Sequence, residues 1–219
     1  MKRVIGFFVL GAAVSIFSGC AYNVQPEVSA ATNVYSSYNG KIPGRYAVVI
    51  DSSMNDMHRT VKPSSYVCSA DSYPVDTSNV FAASIMGTLN QVFQETVEQS
   101  DMPTSEELKR LNAVGTVFVR LDDFSPRLSC SMGFWSGSCT AHTDLSFGVE
   151  VRDPKGMLYA TSVEADKTAS GDSGQACGGA ANILARSIKK ATRDAMNRMA
   201  ERLANAERLR SVASVAVQK

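Results

Sequence analysis

Hydrophobic positions recur along this chain with two different spacings, and the changes between them outline its elements. Tyr46-Ala47-Val48-Val49-Ile50 is an unbroken apolar run of strand length, rich in β-branched residues, and reads as a buried strand. From Phe81 the period changes. Phe81, Ile85, Thr88, Leu89, Val92 and Thr96 fall on one helical face, with Gln91, Gln94, Glu95 and Glu98 opposite, so an amphipathic helix of about five or six turns is expected. Asp76-Thr77-Ser78-Asn79 before it offers several N-caps, and Pro103-Thr104-Ser105-Glu106-Glu107 opens a second, short helix. Alternation then returns. Val117, Val119 and Leu121 share one face of a strand over Thr116–Leu121, and Leu145, Phe147, Val149 and Val151 alternate with polar residues up to Arg152. Asp153-Pro154-Lys155-Gly156 is a turn, so Met157–Ala165 should return antiparallel. Arg127–Thr140 supplies one more hairpin. The last long helix runs from Ala180 to about Arg208, with Leu184, Ile188, Ala191, Ala195, Met199 and Leu203 on its apolar face.

Two long helices need a sheet face on which to bury their stripes. The order of elements therefore predicts an α+β fold in two layers, a mostly antiparallel sheet packed against two long helices. The single domain should span residues 45–208, with 209–219 a frayed tail. Asp51–Pro74 is irregular apart from a possible strand over Ser65–Ser69. Residues 20–44 are rich in Ser, Ala, Asn, Tyr and Gly, lack a hydrophobic period and are punctuated by Pro26 and Pro43. They read as a flexible tether, or, for Asn33–Tyr38, as a segment that packs on the domain as an extra strand.

The N-terminus changes how the rest is read. Lys2 and Arg3 precede an apolar run from Val4 to Phe17 and then the small residues Ser18 and Gly19, the make-up of a secretory signal. The run is shorter than the ~20 residues of a membrane-spanning helix. Phe17-Ser18-Gly19-Cys20 resembles the lipobox of bacterial lipoproteins, with Phe17 where leucine is usual. That resemblance implies that residues 1–19 are removed, and that Cys20 takes a diacylglycerol on its thiol and an acyl chain such as palmitate on its amino group. Several buried chains, at ~0.8 kcal/mol per CH₂, hold a protein on a membrane durably. Ala21 stands where the family's inner-membrane retention signal has aspartate, which implies a periplasm-facing place on the outer membrane. Loss of Lys2 and Arg3 leaves 20 basic residues against 21 acidic ones. So balanced a chain gives no ground for nucleic-acid binding.

Export also governs the cysteines. Besides Cys20 there are Cys68, Cys130, Cys139 and Cys177, and an even number in an exported chain implies disulfides. A hairpin centred between Phe134 and Trp135 sets Cys130 opposite Cys139, at a separation a disulfide can bridge. Cys68 and Cys177 pair by exclusion. No C-x-x-C spacing favours zinc, and no metal or cofactor is expected. Met132-Gly133-Phe134-Trp135 places the one tryptophan at the expected hairpin tip, where Phe134 and Trp135 either suit a protein or membrane contact or fold back over the core.

Catalytic candidates are few. Gly171-Asp172-Ser173-Gly174 resembles the nucleophile signature of chymotrypsin-like proteases, departing from it at Gln175-Ala176. Ser and Gly before a helix are equally cap and loop chemistry. Asp51, Asp56 and His58, or His142 and Asp144 at alternate strand positions, have metal-ligand chemistry but also the look of scattered polar residues. The layout as a whole, with its lipobox, polar stretch and α+β domain opening on Arg45–Ile50, resembles envelope lipoproteins of the YajG type and auxiliaries of transport or surface assembly. The resemblance implies a non-enzymatic scaffold that binds an envelope protein or a second copy of itself. The alternative is an envelope hydrolase using Ser173 or a metal site centred on His58.

Overall fold

Three very long strands dominate the chain: β5 (Gly115–Met132), β6 (Gly137–Asp153) and β7 (Gly156–Asp172). The computed structural model describes residues 19–54, 57–133 and 136–217. In chain order the other elements are β1 (Ile42–Ile50), β2 (His58–Val61), β3 (Tyr73–Asp76), α1 (Val80–Val92), β4 (Phe93–Gln99), α2 (Ser105–Arg110), α3 (Gly179–Ala204) and α4 (Glu207–Val217). The five-stranded sheet has the order β4-β1-β5-β6-β7, and β2 and β3 form a separate antiparallel pair.

Strand alternation sorts the long strands into a buried and an open face. Val117, Val119, Phe124, Leu128, Ala141, Leu145, Phe147, Val149, Val151, Val163, Ala165 and Ala169 lie in the core under the helices. Phe81 of α1 meets Phe124 and Phe147 edge-on, with ring centroids 5.3 and 5.6 Å away. Leu184, Ile188, Ala191, Ala195, Met199 and Leu203 of α3 are all buried, and α3 packs on β6 and β7 and against α1. The other sheet face carries polar side chains along β5, β6 and β7, which alternate with the core residues.

The structure corrects several expectations. The sheet is mixed: its long strands β5, β6 and β7 run antiparallel as expected, but β1 pairs in parallel with both β4 and β5. The expected helix over Phe81–Thr96 stops at Val92 and the chain turns directly into β4. Strand β4 takes the free edge of β1, and α1 is part of the crossover a parallel pair requires. Strand β5 runs on past Leu121 because a bulge between Leu121 and Asp123 shifts the register. Before the bulge odd-numbered residues face the core, after it even-numbered ones do. The Arg127–Thr140 hairpin is thus the far end of β5 and β6. Ser65–Ser69 is a turn, not a strand. The last long helix breaks at Asn205, and residues 207–217 form α4 with Leu209 buried, where a frayed tail was expected.

Residues 20–44 do not hang free as a tether. They form a strap that runs the length of the domain. At its start Tyr22 and Val24 donate backbone hydrogen bonds to Ser72 and Pro74 (2.9 and 2.8 Å), adding a short parallel segment beside β3. The strap then crosses α1. Ser29 N donates to Ser84 Oγ at 2.9 Å, Ala31 N donates to Thr88 Oγ1 at 3.0 Å, and Gln91 Nε2 donates to the Ala31 carbonyl at 2.8 Å. The Ser84 and Thr88 hydroxyls donate in turn to the Val80 and Ser84 carbonyls of their own helix, so each serves both segments. Gly87 sits beneath the crossing, where a Cβ would stand 2.9 Å from Ala30 Cβ. Farther on, Asn197 and Asn205 accept from Thr32 N and Ser37 N (2.9 and 2.7 Å), and Arg210 covers the Tyr38 ring at 4.7 Å. A buried backbone amide without a partner is costly, and these side chains supply the partners.

Thr88→Val keeps the shape of the buried side chain but leaves Ala31 N–H without an acceptor. It should destabilise the domain by about 1–3 kcal/mol in urea unfolding. Gln91→Ala should cost less, because Gln91 is itself exposed and its bond to the Ala31 carbonyl is only partly buried.

Candidate functional site

The strap begins where several otherwise distant segments meet. Cys20 is exposed with a free thiol, yet its backbone is fastened to the domain. Its nitrogen donates to Asp71 Oδ1 at 3.1 Å and its carbonyl accepts from Ser72 N at 3.0 Å. Tyr22 stacks on Tyr73 with 5.8 Å between ring centroids. The two phenols donate to the carbonyls of Ala176 and Cys177, at 2.6 and 2.9 Å, in the loop before α3. Burial, with the Asp71 carboxylate nearby, pushes the Tyr73 phenol up to about 12, so it stays protonated and donating at any physiological pH.

Two disulfides close this end. Cys130 and Cys139 are directly paired across β5 and β6, with Cα atoms 4.0 Å apart. Cys68 is bonded to Cys177, 109 residues away in sequence, with Cα atoms 5.8 Å apart. The sulfurs of Cys68, Cys130 and Cys139 lie within 4.8 Å of one another, so the two bridges touch. Cys68, Ala176 and Cys177 all have left-handed backbones (φ 62°, 46° and 64°), a conformation unfavourable for residues with a Cβ. The cross-links and the tyrosine hydrogen bonds hold them there. The 63–70 turn is also tied to β5: Ser64 N donates to the Leu128 carbonyl at 2.9 Å and Cys130 N to Ser65 Oγ at 2.7 Å. Met132 and Gly133 end the described part of the hairpin, and Phe134 and Trp135, expected at its tip, lie outside the described residues.

The open sheet face carries the second cluster. His142 Nε2 lies 3.0 Å from Asp144 Oδ1 and its Nδ1 lies 3.4 Å from Asp166 Oδ1 and 3.2 Å from Thr168 Oγ1. Arg127 from β5 pairs with Asp144. One histidine and two carboxylates have the donor set of a weak metal site, but the Arg127 guanidinium already neutralises one carboxylate. Farther along, Arg120 bridges Asp122 and Glu150 at 2.8 and 2.9 Å, and Ser131–Ser138 and Thr140–Ser170 hydroxyl pairs fill the rows toward the hairpin. The result is a broad, hydrated, mixed-charge surface.

Among the described residues the hydrolase candidates are not brought together. Ser173 is only 6% exposed, and its hydroxyl occupies the space a Cβ on Gly137 would need. Its main chain bonds Gly137 and Gly179 at 2.9 and 2.8 Å. The histidines engage carboxylates elsewhere: His142 as above, and His58 with Asp76 at 3.6 Å across β2 and β3. Asp51 accepts from Ser53 N in a local turn, and Asp56 lies outside the described residues. Sequence reasoning missed the seat of Cys20 on Asp71 and Ser72, and also Asp166 and Arg127 beside His142. Pairing register supplies both of the latter. The one local signal for the strap was the polar and small row Ser84, Gly87, Thr88 and Gln91 on α1.

The two disulfides should differ in worth. In the chain-entropy view, replacing Cys68 and Cys177 by serine costs about 5 kcal/mol and replacing Cys130 and Cys139 about 2.5 kcal/mol, because the loops they close differ so much in length. Unfolding of the two double variants in urea measures the gap.

No protein-family model matches the sequence, and no curated protein does. Solved structures do. A Xanthomonas campestris protein of the DUF330 family superposes with a TM-score of 0.53 at 7% identity, over 90% of this chain and 99% of that one. A putative neuraminyllactose-binding hemagglutinin homolog from Helicobacter pylori gives 0.42 at 9% identity, over 87% and 100%. A minor lipoprotein from Acinetobacter baumannii gives 0.32 at 10% identity, over 80% and 94%. At 7% identity the first likeness is one of fold alone, and it places this α+β chain in the same architecture as the Xanthomonas protein.

Proposed function

We propose that this protein is a lipid-anchored, non-enzymatic accessory or scaffold protein on the periplasmic face of the outer membrane, and that it works through contacts with another envelope protein. The observation that carries this reading is the seat of Cys20. The residue that ends the lipobox-like sequence is exposed at its thiol and fixed at its backbone. Acylation of the amino group leaves an amide with one N–H, so the bond to Asp71 Oδ1 is compatible with a mature, lipidated N-terminus. No helix among the described residues is long and apolar enough to cross a membrane, which leaves the lipid as the attachment this reading requires.

A lipid at that position would hold the domain in one orientation rather than on a leash. The strands β5, β6 and β7 run away from the Cys20 end for roughly 50 Å, at about 3.3 Å per residue. The surface offered to a partner is then the open face of the sheet, whose ion pairs and hydroxyl rows suit a polar, exchangeable contact. The Cys68–Cys177 and Cys130–Cys139 bridges fit the oxidising periplasm.

Intact mass of the membrane-extracted protein tests this reading. It should start at Cys20 and carry diacylglycerol and acyl mass, and Cys20→Ser should move the protein to the soluble periplasmic fraction. A mature chain of unmodified mass would contradict the reading.

A further inference from the structure

The four stretches that meet at the Cys20 end share an unusual composition. Residues 20–26, 63–70, 128–141 and 173–185 contain no Asp, Glu, Lys, Arg or His, in a chain of which 20% is charged. Contacts among their described residues join them into one surface. Cys20 and Tyr22 bond Ser72, and Tyr22 bonds Ala176. Cys68 is cross-linked to Cys177, Ser65 bonds Cys130, and Gly137 bonds Ser173. Charge stands at the margins of these stretches: Asp71 and Asp172 are turned to main-chain amides, accepting from Cys20 N and Gly174 N at 3.1 and 2.7 Å, Arg186 donates to the Ser170 carbonyl, and Arg59, Lys62 and Arg127 line a pocket beside Ser64 and Leu128.

Apolar side chains project from this uncharged end. Among the described residues, Tyr66 at 95% and Met132 at 73% are the most exposed large hydrophobic side chains. Neither stands on a loose segment. Tyr66 lies between Ser65, which bonds Cys130, and the disulfide-bonded Cys68, and Met132 follows Cys130 by two residues in paired strand. A rigid, uncharged platform with a protruding tyrosine is chemically matched to the headgroup boundary of a bilayer, where an amphipathic ring has both an apolar and a hydrated side. A water-facing protein contact would give no reason to exclude charge from four separate stretches.

We propose that the Cys20 end is a lipid-facing surface: with Cys20 acylated, Tyr66 and Met132 enter the headgroup region of the membrane. The inference rests on Cys20 being the lipidated residue and adds a second point of contact. The acyl chains set the attachment. Tyr66 and Met132, carried on the disulfide-bonded loops, set the tilt. Because Cys20 is bonded directly to Asp71, no length of free chain separates the lipid from this surface.

The test uses full-length, membrane-extracted protein reconstituted in phosphatidylethanolamine/phosphatidylglycerol vesicles containing lipids brominated near the headgroup. Tyr66→Trp and, as a distant reference, Met157→Trp at the β6–β7 turn are each read against the wild-type emission. Both sites are exposed, so both variants should fold. The added emission of Tyr66→Trp should shift to the blue and be quenched, while that of Met157→Trp should stay unchanged. Protein that floats with the vesicles but shows equal or no quenching at the two positions overturns the lipid-facing surface and leaves the lipid anchor standing. Protein that does not float at all overturns both.

Discussion

A backbone laid on a protein surface has to find partners for its amides, and the architecture of this molecule depends on how residues 20–44 meet that demand. They carry no hydrophobic period and bury few large side chains. What holds them is a series of hydrogen bonds that the strap's amides donate to polar side chains of α1 and α3, with one returned by Gln91 to the Ala31 carbonyl. Ser84 and Thr88 would be anomalous in the core of an isolated domain. They are fully buried because each hydroxyl donates to its own helix and accepts from the strap. With the strap seated, Cys20 becomes a fixed point on the domain.

The two ends of the molecule differ accordingly. At the end where β1, β4 and β5 run side by side, α1 and α3 lie over a wide sheet and the core is thick. Toward Cys20 only the three long strands continue, joined by the small β2–β3 pair and a set of turns. The core continues to this end through Tyr73, Leu128, Ala141 and Ile183, and cross-links add to it. The touching disulfides, the stacked Tyr22 and Tyr73, and the paired Cys130 and Cys139 rows give that end its rigidity. Its lack of charge has no counterpart on the open sheet face, where Arg120, Glu150, Arg127, Asp144 and Asp166 crowd the surface.

Local patterning made part of this legible. The apolar stripe of α3 from Leu184 to Leu203, the Asp153–Gly156 turn and the Thr104 helix start all follow from near neighbours in sequence, and the structure has each of them. What escaped were the features settled at long range. Gln94, Glu95 and Glu98 fit the polar side of a helix as well as the exposed positions of a strand, and the free edge of β1 decides for β4. The bulge at Asp122 reverses the alternation of β5 and so disguises one long strand as two short ones. The strap looks like a linker because its partners, Ser84, Thr88, Asn197 and Asn205, are distant in sequence. At the candidate site the cysteines were readable by number and spacing. The seat of Cys20 on Asp71 and Ser72 was not, since nothing near either segment encodes it.

Amide hydrogen exchange on the intact protein tests the central claim most directly. If the strap is part of the fold, the amides of Tyr22, Val24, Ser29 and Ala31 should exchange as slowly as those of α1 and β3 against which they lie. Exchange at the rate of a free chain over residues 21–32, with α1 and β3 still protected, would mean that the segment is a leash after all and that Cys20 fixes no orientation.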